Sequence, residues 1–199
     1  MREFSIYAVV TITLAIMVRY IMLLVRKEIK PALAMWLFFS VAIIMSLVTY
    51  RSEGGYGLAD NIMNTVDLVY VVTVCIAIFL FGDRSSKFTR FDRACLITVM
   101  VILLFWIFTR NHRVTNILMQ AILVIAYFPV VKRLIDSREN TEPFSVWIGM
   151  LLAPSIALLS SKGTLATIYS VRAIICVSIL LLLMIRIEIL KKRTNKINR

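Results

Sequence analysis

Two long apolar stretches of this sequence contain side chains that could do chemistry. The first contains Asn64 and Asp67, and the second contains Tyr169 and Arg172. Placing a charged group in the middle of a bilayer costs at least ~2.5–3.5 kcal/mol by insertion scales. Such groups persist in a membrane span when they face a partner, a cavity or a substrate. We therefore take these four residues as candidates for substrate binding.

Asp67 lies nine residues into its stretch and Arg172 lies eight residues into its own. At about 1.5 Å per residue, both are expected near the middle of a bilayer core roughly 30 Å thick. Three readings stay open. The two residues form a structural ion pair across a cavity, they do not meet, or they form a substrate or proton site. In the last case Asp67 would titrate and Arg172 would hold a carboxylate or phosphate. Asn64 shares the helix face of Asp67, and Gln120 and Tyr127 share a face of another span that is expected to point inward.

The composition predicts an all-α membrane protein. The chain has 199 residues, of which 60% are hydrophobic and 17% charged. A membrane span needs about 20 apolar residues, so there is room for seven. We place the spans at about 4–25, 31–50, 58–81, 94–109, 114–131, 143–160 and 164–190.

The basic residues orient these spans. Of the 23 Lys and Arg residues, 16 collect on one side, in the connections, the end of the last span and the tail, and five collect on the other. Arg19 and Arg172 lie within spans and are not counted. Positive residues concentrate on the cytoplasmic side. We therefore expect a plasma (inner) membrane protein with its N-terminus outside and its C-terminus in the cytoplasm.

Several function classes receive little support. The net charge of +12 is explained by the loops and tail, so no nucleic-acid partner is expected. The three cysteines lack the spacing of metal ligands. The catalytic motifs that we considered are missing, and the chain has a single histidine. We expect no enzyme activity, no metal and no cofactor.

Two helix starts resemble each other. In the first, Pro31 is followed by Trp36, and in the second, Pro143 is followed by Trp147. Each follows a loop that contains both acids and bases. This similarity predicts two parallel three-helix repeats joined by a linker helix, a 3+1+3 arrangement. The corresponding division is a first repeat at 1–82, linker helix four at 83–110, a second repeat at 111–190 and a basic cytoplasmic tail at 191–199.

This organisation resembles the SWEET and PQ-loop superfamily of small transporters. The resemblance is distant and rests mainly on topology. Pro129 stands where that family has the proline of its Pro-Gln pair, but neither half of this chain has the glutamine. The resemblance implies that the third helix of each half lines a central pathway and that polar residues midway along it contact the substrate. It also implies alternating access, with the central cavity open to one side at a time.

Four further residues have two open interpretations each. Arg19 either extends its side chain to the cytoplasmic interface or acts as a gate. Pro129 either bends or ends its span or serves as a hinge. Trp36 and Trp147 are either interfacial anchors or stacking platforms for a solute.

The resulting hypothesis is a small polytopic transporter. It moves a small polar solute through a cavity between the two halves by alternating access, surrounded by the lipid bilayer and with a homo-oligomer possible. The alternative is a non-transporting scaffold or accessory subunit with a structural Asp-Arg pair. A scaffold would pack its polar residues against one another and leave no space for a solute.

Overall fold

The computed structural model describes residues 1–29, 31, 33–82, 90–137, 140 and 142–197. Within these ranges the chain forms α-helices and one short 3-10 helix, and contains no β-strand. The 3-10 helix, Leu58–Asn61, leads directly into α3. The α-helices are α1 (Arg2–Val25), α2 (Leu33–Gly54), α3 (Ile62–Phe81), α4 (Arg90–Thr109), α5 (His112–Ile125), α6 (Phe128–Ser137), α7 (Phe144–Ala157) and α8 (Thr164–Ile197).

Three segments are long and apolar enough to cross a membrane: Arg2–Val25, Leu58–Phe81 and Thr164–Lys191. Three shorter apolar helices accompany them, at Arg93–Thr109, His112–Ile125 and Phe144–Ala157. Only a third of the most apolar window of each long segment is buried inside the protein. Helices that remain apolar on their exposed faces are typical of membrane spans, so the fold is that of an all-α membrane protein.

The structure corrects two predicted boundaries. The fifth span was expected to end near residue 131, but the chain interrupts its helix at Ala126 and Tyr127 and continues as α6 to Ser137. Pro129 gives the physical reason, because it has no N–H to donate to the carbonyl one turn earlier. The basic tail was expected beyond residue 190, but α8 continues to Ile197.

The helices pack around α3 and α8. Helix α1 contacts α3 and α7, and α2 contacts α3 and α5. Helix α8 contacts α7, α5, α6 and α3, while α4 packs against α2 and α5. This arrangement brings the polar residues of α3 and α8 towards each other inside the bundle.

The α1–α7 contact depends on a small residue. A side-chain carbon added at Gly149 would collide with Cγ2 of Ile16. Without a hydrophobic driving force between spans, helices in a bilayer associate through close packing, and small residues permit it. Gly149 therefore allows α1 and α7 to approach closely.

Part of the predicted charge pattern lies outside the described residues. Lys30, Arg84, Lys87, Arg138 and Arg199 were used to orient the chain and belong to this part.

Candidate functional site

A cavity of about 450 Å³ lies inside the helix bundle. Its lining residues nearest the N-terminal ends of α3 and α8 are Met63 and Tyr169. At its other end it is lined by Lys27 and Glu28, which are exposed and follow the end of α1. The cavity therefore extends from the N-terminal parts of α3 and α8 to the α1–α2 connection, where it reaches the protein surface. Its volume lies within the ~300–1,000 Å³ range of small-molecule sites.

Three of the four predicted substrate-binding residues line this cavity: Asp67, Tyr169 and Arg172. The Tyr169 hydroxyl donates a hydrogen bond to Oδ2 of Asp67 at 2.8 Å. The guanidinium carbon of Arg172 lies 4.7 Å from the centre of the Tyr169 ring, in a cation–π contact. Tyr169 thus contacts both charged groups, through its hydroxyl on one side and its ring face on the other.

Of the three readings, the ion pair between Asp67 and Arg172 is not formed: among the salt bridges of the described residues, none joins these two side chains. Arg172 instead donates its Nε–H to Oε1 of Gln120 at 3.0 Å. Sequence position indicates the depth of each charge but not the direction of its side chain, so it could not decide between the readings. Tyr169 and Gln120 are uncharged partners that satisfy the two ions separately.

Gln120 connects Arg172 to a buried polar network centred on Ser46. Ser46 Oγ accepts hydrogen bonds from the side-chain amides of Asn64 and Gln120, each at 2.9 Å. Asn116 donates to the Ser46 carbonyl at 2.7 Å and to Thr49 Oγ1 at 3.0 Å. The network joins α2, α3 and α5 and holds the group that orients Arg172.

Asn64 belongs to this network and does not line the cavity. It is fully buried, and its backbone N–H donates to Oδ1 of Asn61, the residue that caps α3, at 3.3 Å. Its Oδ1 has no hydrogen-bond partner among the described residues. The sequence predicted an inward-facing amide, and the structure gives it a role in packing the helices beside the cavity.

A continuous series of aromatic rings lines the cavity, and we call it the aromatic arc. It brings together side chains from α1, α2, α3, the α5–α6 connection and α7. Neighbouring ring centres are 5.3–6.4 Å apart. In order along the wall, the arc consists of Tyr70, Tyr20, Trp36, Phe39, Tyr127 and Trp147.

Both tryptophans of the repeated pattern are in this arc. Trp36 is buried and packs on Tyr20 at 5.3 Å. Trp147 is half-buried and donates its Nε1–H to Oε2 of Glu142 at 3.1 Å. Both indole rings therefore lie in the cavity wall.

The remaining two predicted residues lie elsewhere. Arg19 is exposed on α1 and is not among the residues that line the cavity. An exposed position fits a side chain that extends to the interface. Pro129 lies in the first turn of α6, where the helix axis is interrupted, and its backbone position fits a bend.

The opposite end of the bundle is held by ionic contacts around Asp60. Its Oδ1 accepts from Arg2 at 2.6 Å and from Lys162 at 3.0 Å. The backbone N–H of Lys162 also donates to the Asp60 carbonyl at 2.8 Å. We call these three residues the Asp60 clamp. It connects the start of α1, the 3-10 helix before α3 and the turn before α8.

Aromatic and hydroxyl contacts reinforce the same end. The Tyr50 hydroxyl donates to the Lys162 carbonyl at 2.9 Å, and its ring stacks on Tyr56 at 4.9 Å. Gly163 adopts a positive φ of 77°, and an added Cβ would lie 2.7 Å from the Tyr56 hydroxyl. Ser5 and Ser160 share a hydrogen bond at 2.9 Å. The Asp60 end is thus closed by contacts between several helices, whereas the Lys27 end opens to the surface.

Sequence reasoning missed several residues of the site. Ser46 was not considered, although a serine within an apolar span is a common hydrogen-bonding group between helices. Tyr20 and Glu142 were also missed, and both line the cavity. Gln120 and Tyr127 were expected to point inward, and both do: Gln120 is buried in the polar network and Tyr127 lines the cavity.

Among the described residues there is no cluster of three or more His, Cys, Asp or Glu side chains that could hold a metal ion. Within the helices the cavity is lined by one carboxylate, Asp67, one guanidinium, Arg172, and several aromatic rings in an apolar wall, and Lys27, Glu28 and Glu142 line it from the connections between helices.

Comparison with family models, curated proteins and solved structures finds no match to this chain.

Proposed function

We propose that this protein is a carrier that binds a small solute in the cavity and moves it across the membrane by alternating access. The observation that carries the proposal is the asymmetry of the cavity. It reaches the surface beside Lys27 and Glu28, whereas the Asp60 clamp closes the opposite end. A carrier that exposes its site to one side at a time has this arrangement in each of its end states.

Matching positions in the proposed repeats support a two-half organisation. Met63 and Tyr169 both line the cavity and are 106 residues apart, as are Val71 and Val177. On the preceding helix of each half, Trp36 and Trp147 are 111 residues apart and line it too.

Helix packing gives independent support for the 3+1+3 arrangement. If α1, α2 and α3 correspond to α5, α7 and α8, exchanging the halves converts the α1–α7 contact into the α5–α2 contact. It also converts α2–α3 into α7–α8. All four contacts are extensive, as expected for two halves related by a two-fold axis. In this proposal α4 is the linker, and the chain is a distant relative of the SWEET and PQ-loop transporters.

The orientation is part of the proposal. The positive-inside bias places the α1–α2 connection in the cytoplasm and the N-terminus outside. The structure then corresponds to an inward-open state in the inner membrane, with the Asp60 clamp as the closed outer end.

The cavity also argues against the scaffold alternative. A scaffold would pack its polar groups together and leave no space, and the network around Ser46 does pack in that way. Asp67 and Arg172, however, face a volume of about 450 Å³. A purely structural role gives no reason for that space between two charged residues.

The proposal is tested by a ligand screen followed by uptake. Purified protein in detergent is melted with sugars, amino acids, carboxylates, nucleosides and vitamins, because a ligand that binds only the folded state raises the melting temperature. A compound that stabilises the protein is then offered to vesicles that contain it. Stabilisation with uptake supports a carrier. A solute that binds without entering the vesicles, or the absence of any stabilising compound, contradicts it.

A further inference from the structure

The charges inside the cavity restrict the net charge of its ligand. Five charged side chains line the cavity. Asp67 and Arg172 lie within α3 and α8, whereas Lys27, Glu28 and Glu142 lie in the connections before α2 and α7. Inside the helices, the negative charge of Asp67 and the positive charge of Arg172 already balance. A ligand with a net charge would bring an uncompensated ion into an apolar wall, which is strongly unfavourable. The balance therefore favours a net-neutral ligand.

The aromatic arc restricts its shape. Six rings follow one another along the cavity wall, and the centres of neighbouring rings are no more than 6.4 Å apart. Aromatic walls bind flat unsaturated rings by stacking, and they do so without regard to the pattern of substituents. A compact non-planar solute would use less of this surface.

The unused hydrogen-bonding groups restrict the ligand's edge. Asp67 accepts from Tyr169 through Oδ2, which leaves Oδ1 for an incoming N–H. A guanidinium has five N–H donors, of which Arg172 gives one to Gln120, and the remaining donors can bind an acceptor on the ligand. The ligand edge should therefore contain both an N–H donor and an acceptor such as a carbonyl.

Two buried groups add to this demand. The indole N–H of Trp36 and the hydroxyl of Tyr70 have no hydrogen-bond partner among the described residues. Both side chains line the cavity, and they are only 7% and 3% exposed. Buried donors without partners are uncommon in folded proteins, so a small shift of these side chains on ligand binding would give them acceptors.

We propose that the cavity binds a flat, net-neutral heterocycle with N–H and C=O groups on one edge. This inference rests on the proposed function in taking the cavity as the solute site. The heterocycle stacks along the aromatic arc, its N–H donates to Asp67, and its carbonyl accepts from Arg172. Uracil and hypoxanthine have this chemistry and are small enough for the cavity.

Titration calorimetry on the purified full chain tests the proposal. The probes are uracil and hypoxanthine, compared with glucose, leucine, tryptophan, benzoate and tetramethylammonium. We expect at least one heterocycle to bind at least tenfold more tightly than every other probe. Tighter binding of a sugar, an amino acid or either ion overturns the proposal, and so does binding of no probe.

Paired variants locate the binding. Trp147→Leu should weaken heterocycle binding by about tenfold, the effect of losing one stacking partner. Trp106→Leu is the matched control, because Trp106 bonds His112 and is not among the cavity-lining residues. If Trp147→Leu does not fold, Asp67→Asn replaces it: the side chain keeps its shape, and losing the charged acceptor should also weaken binding by about tenfold. Equal affinity in the variants and wild type overturns the proposal.

Uptake separates this inference from the proposed function. If glucose or leucine binds in the cavity and enters vesicles, the carrier function stands and the ligand class is wrong. If a heterocycle binds as described but no probe enters vesicles, the ligand class stands and the carrier function is wrong.

Discussion

Ser46→Ala should destabilise the protein because Ser46 is the acceptor at the centre of the polar network. Its Oγ accepts from the side-chain amides of Asn64 and Gln120, both at 2.9 Å. After the substitution, the Asn64 amide loses its acceptor, while the Gln120 amide keeps only the longer bond of 3.3 Å to Asn116. The change removes these two short bonds between helices, together with a weaker contact at 3.5 Å from the Asn116 amide, in a buried part of the bundle.

The magnitude follows from these bonds. Hydrogen bonds between membrane helices contribute on average about 0.6 kcal/mol and at most about 1.7 kcal/mol each. Losing two should reduce the free energy of unfolding by roughly 1–3 kcal/mol. Gln120 would also be held less firmly. Because Gln120 Oε1 accepts a hydrogen bond from Arg172 at 3.0 Å, the guanidinium of Arg172 would be held less firmly too.

Thermal and denaturant unfolding in detergent measure this effect, with Ser52→Ala as the control. Ser52 lies on the same helix and is exposed, and its hydroxyl only donates to the Val48 carbonyl one turn earlier. Such a surface change should stay within about 0.5 kcal/mol. If Ser46→Ala and Ser52→Ala unfold at the same denaturant concentration, the network does not stabilise the helices as described.

Three further variants test other parts of the structure. Asp60→Asn should lower the free energy of unfolding by no more than about 1 kcal/mol, because its ion pairs are partly exposed. It should nevertheless increase the labelling of a cysteine introduced in the cavity at Ala173 by a thiol reagent applied from the Asp60 side; unchanged labelling contradicts a role in closure. Gly149→Val should overpack against Ile16 and lower the free energy of unfolding by about 1–3 kcal/mol, which lowers the melting temperature, and Ile16→Ala should restore part of the loss; equal melting temperatures of Gly149→Val and wild type would refute the close contact. Tyr169→Phe removes the hydroxyl that donates to Asp67 and should reduce stability by about 1.5–3 kcal/mol, measured by unfolding at neutral pH; a variant as stable as wild type shows that this bond is dispensable.

The sequence predicted the helices well because apolar length and helix-breaking residues are local properties. The bounds of α3 and α4 lie within four residues of the predicted spans. The predicted end of the fifth span was wrong because the chain does not leave the helical conformation for good near Pro129: α5 ends at Ile125, and a second helix, α6, starts at Phe128. A proline removes one backbone donor, but the chain after it forms a new helix to Ser137.

The site was predicted in part. Asp67, Tyr169 and Arg172 were identifiable because polar groups are unfavourable in apolar spans, and the structure brings all three to one cavity. Their partners were not identifiable, since hydrogen bonds such as that between Arg172 and Gln120 depend on how α5 packs against α8. Tyr20 was missed for a different reason: an aromatic residue in a membrane span is ordinary, and only the packing shows that six such rings form one wall.

The most direct test of the proposed carrier is the accessibility of the cavity from each side of the membrane. Ala173 lines the cavity on α8, so Ala173→Cys, in a variant whose native Cys75, Cys95 and Cys176 are replaced by alanine, reports on it. Vesicles of both orientations are treated with a membrane-impermeant thiol reagent. We predict rapid labelling from the side of the α1–α2 connection and at least tenfold slower labelling from the side of the Asp60 clamp. Equal labelling from both sides would indicate a continuous pore, and labelling from neither side would show that the cavity is closed; either result contradicts the account.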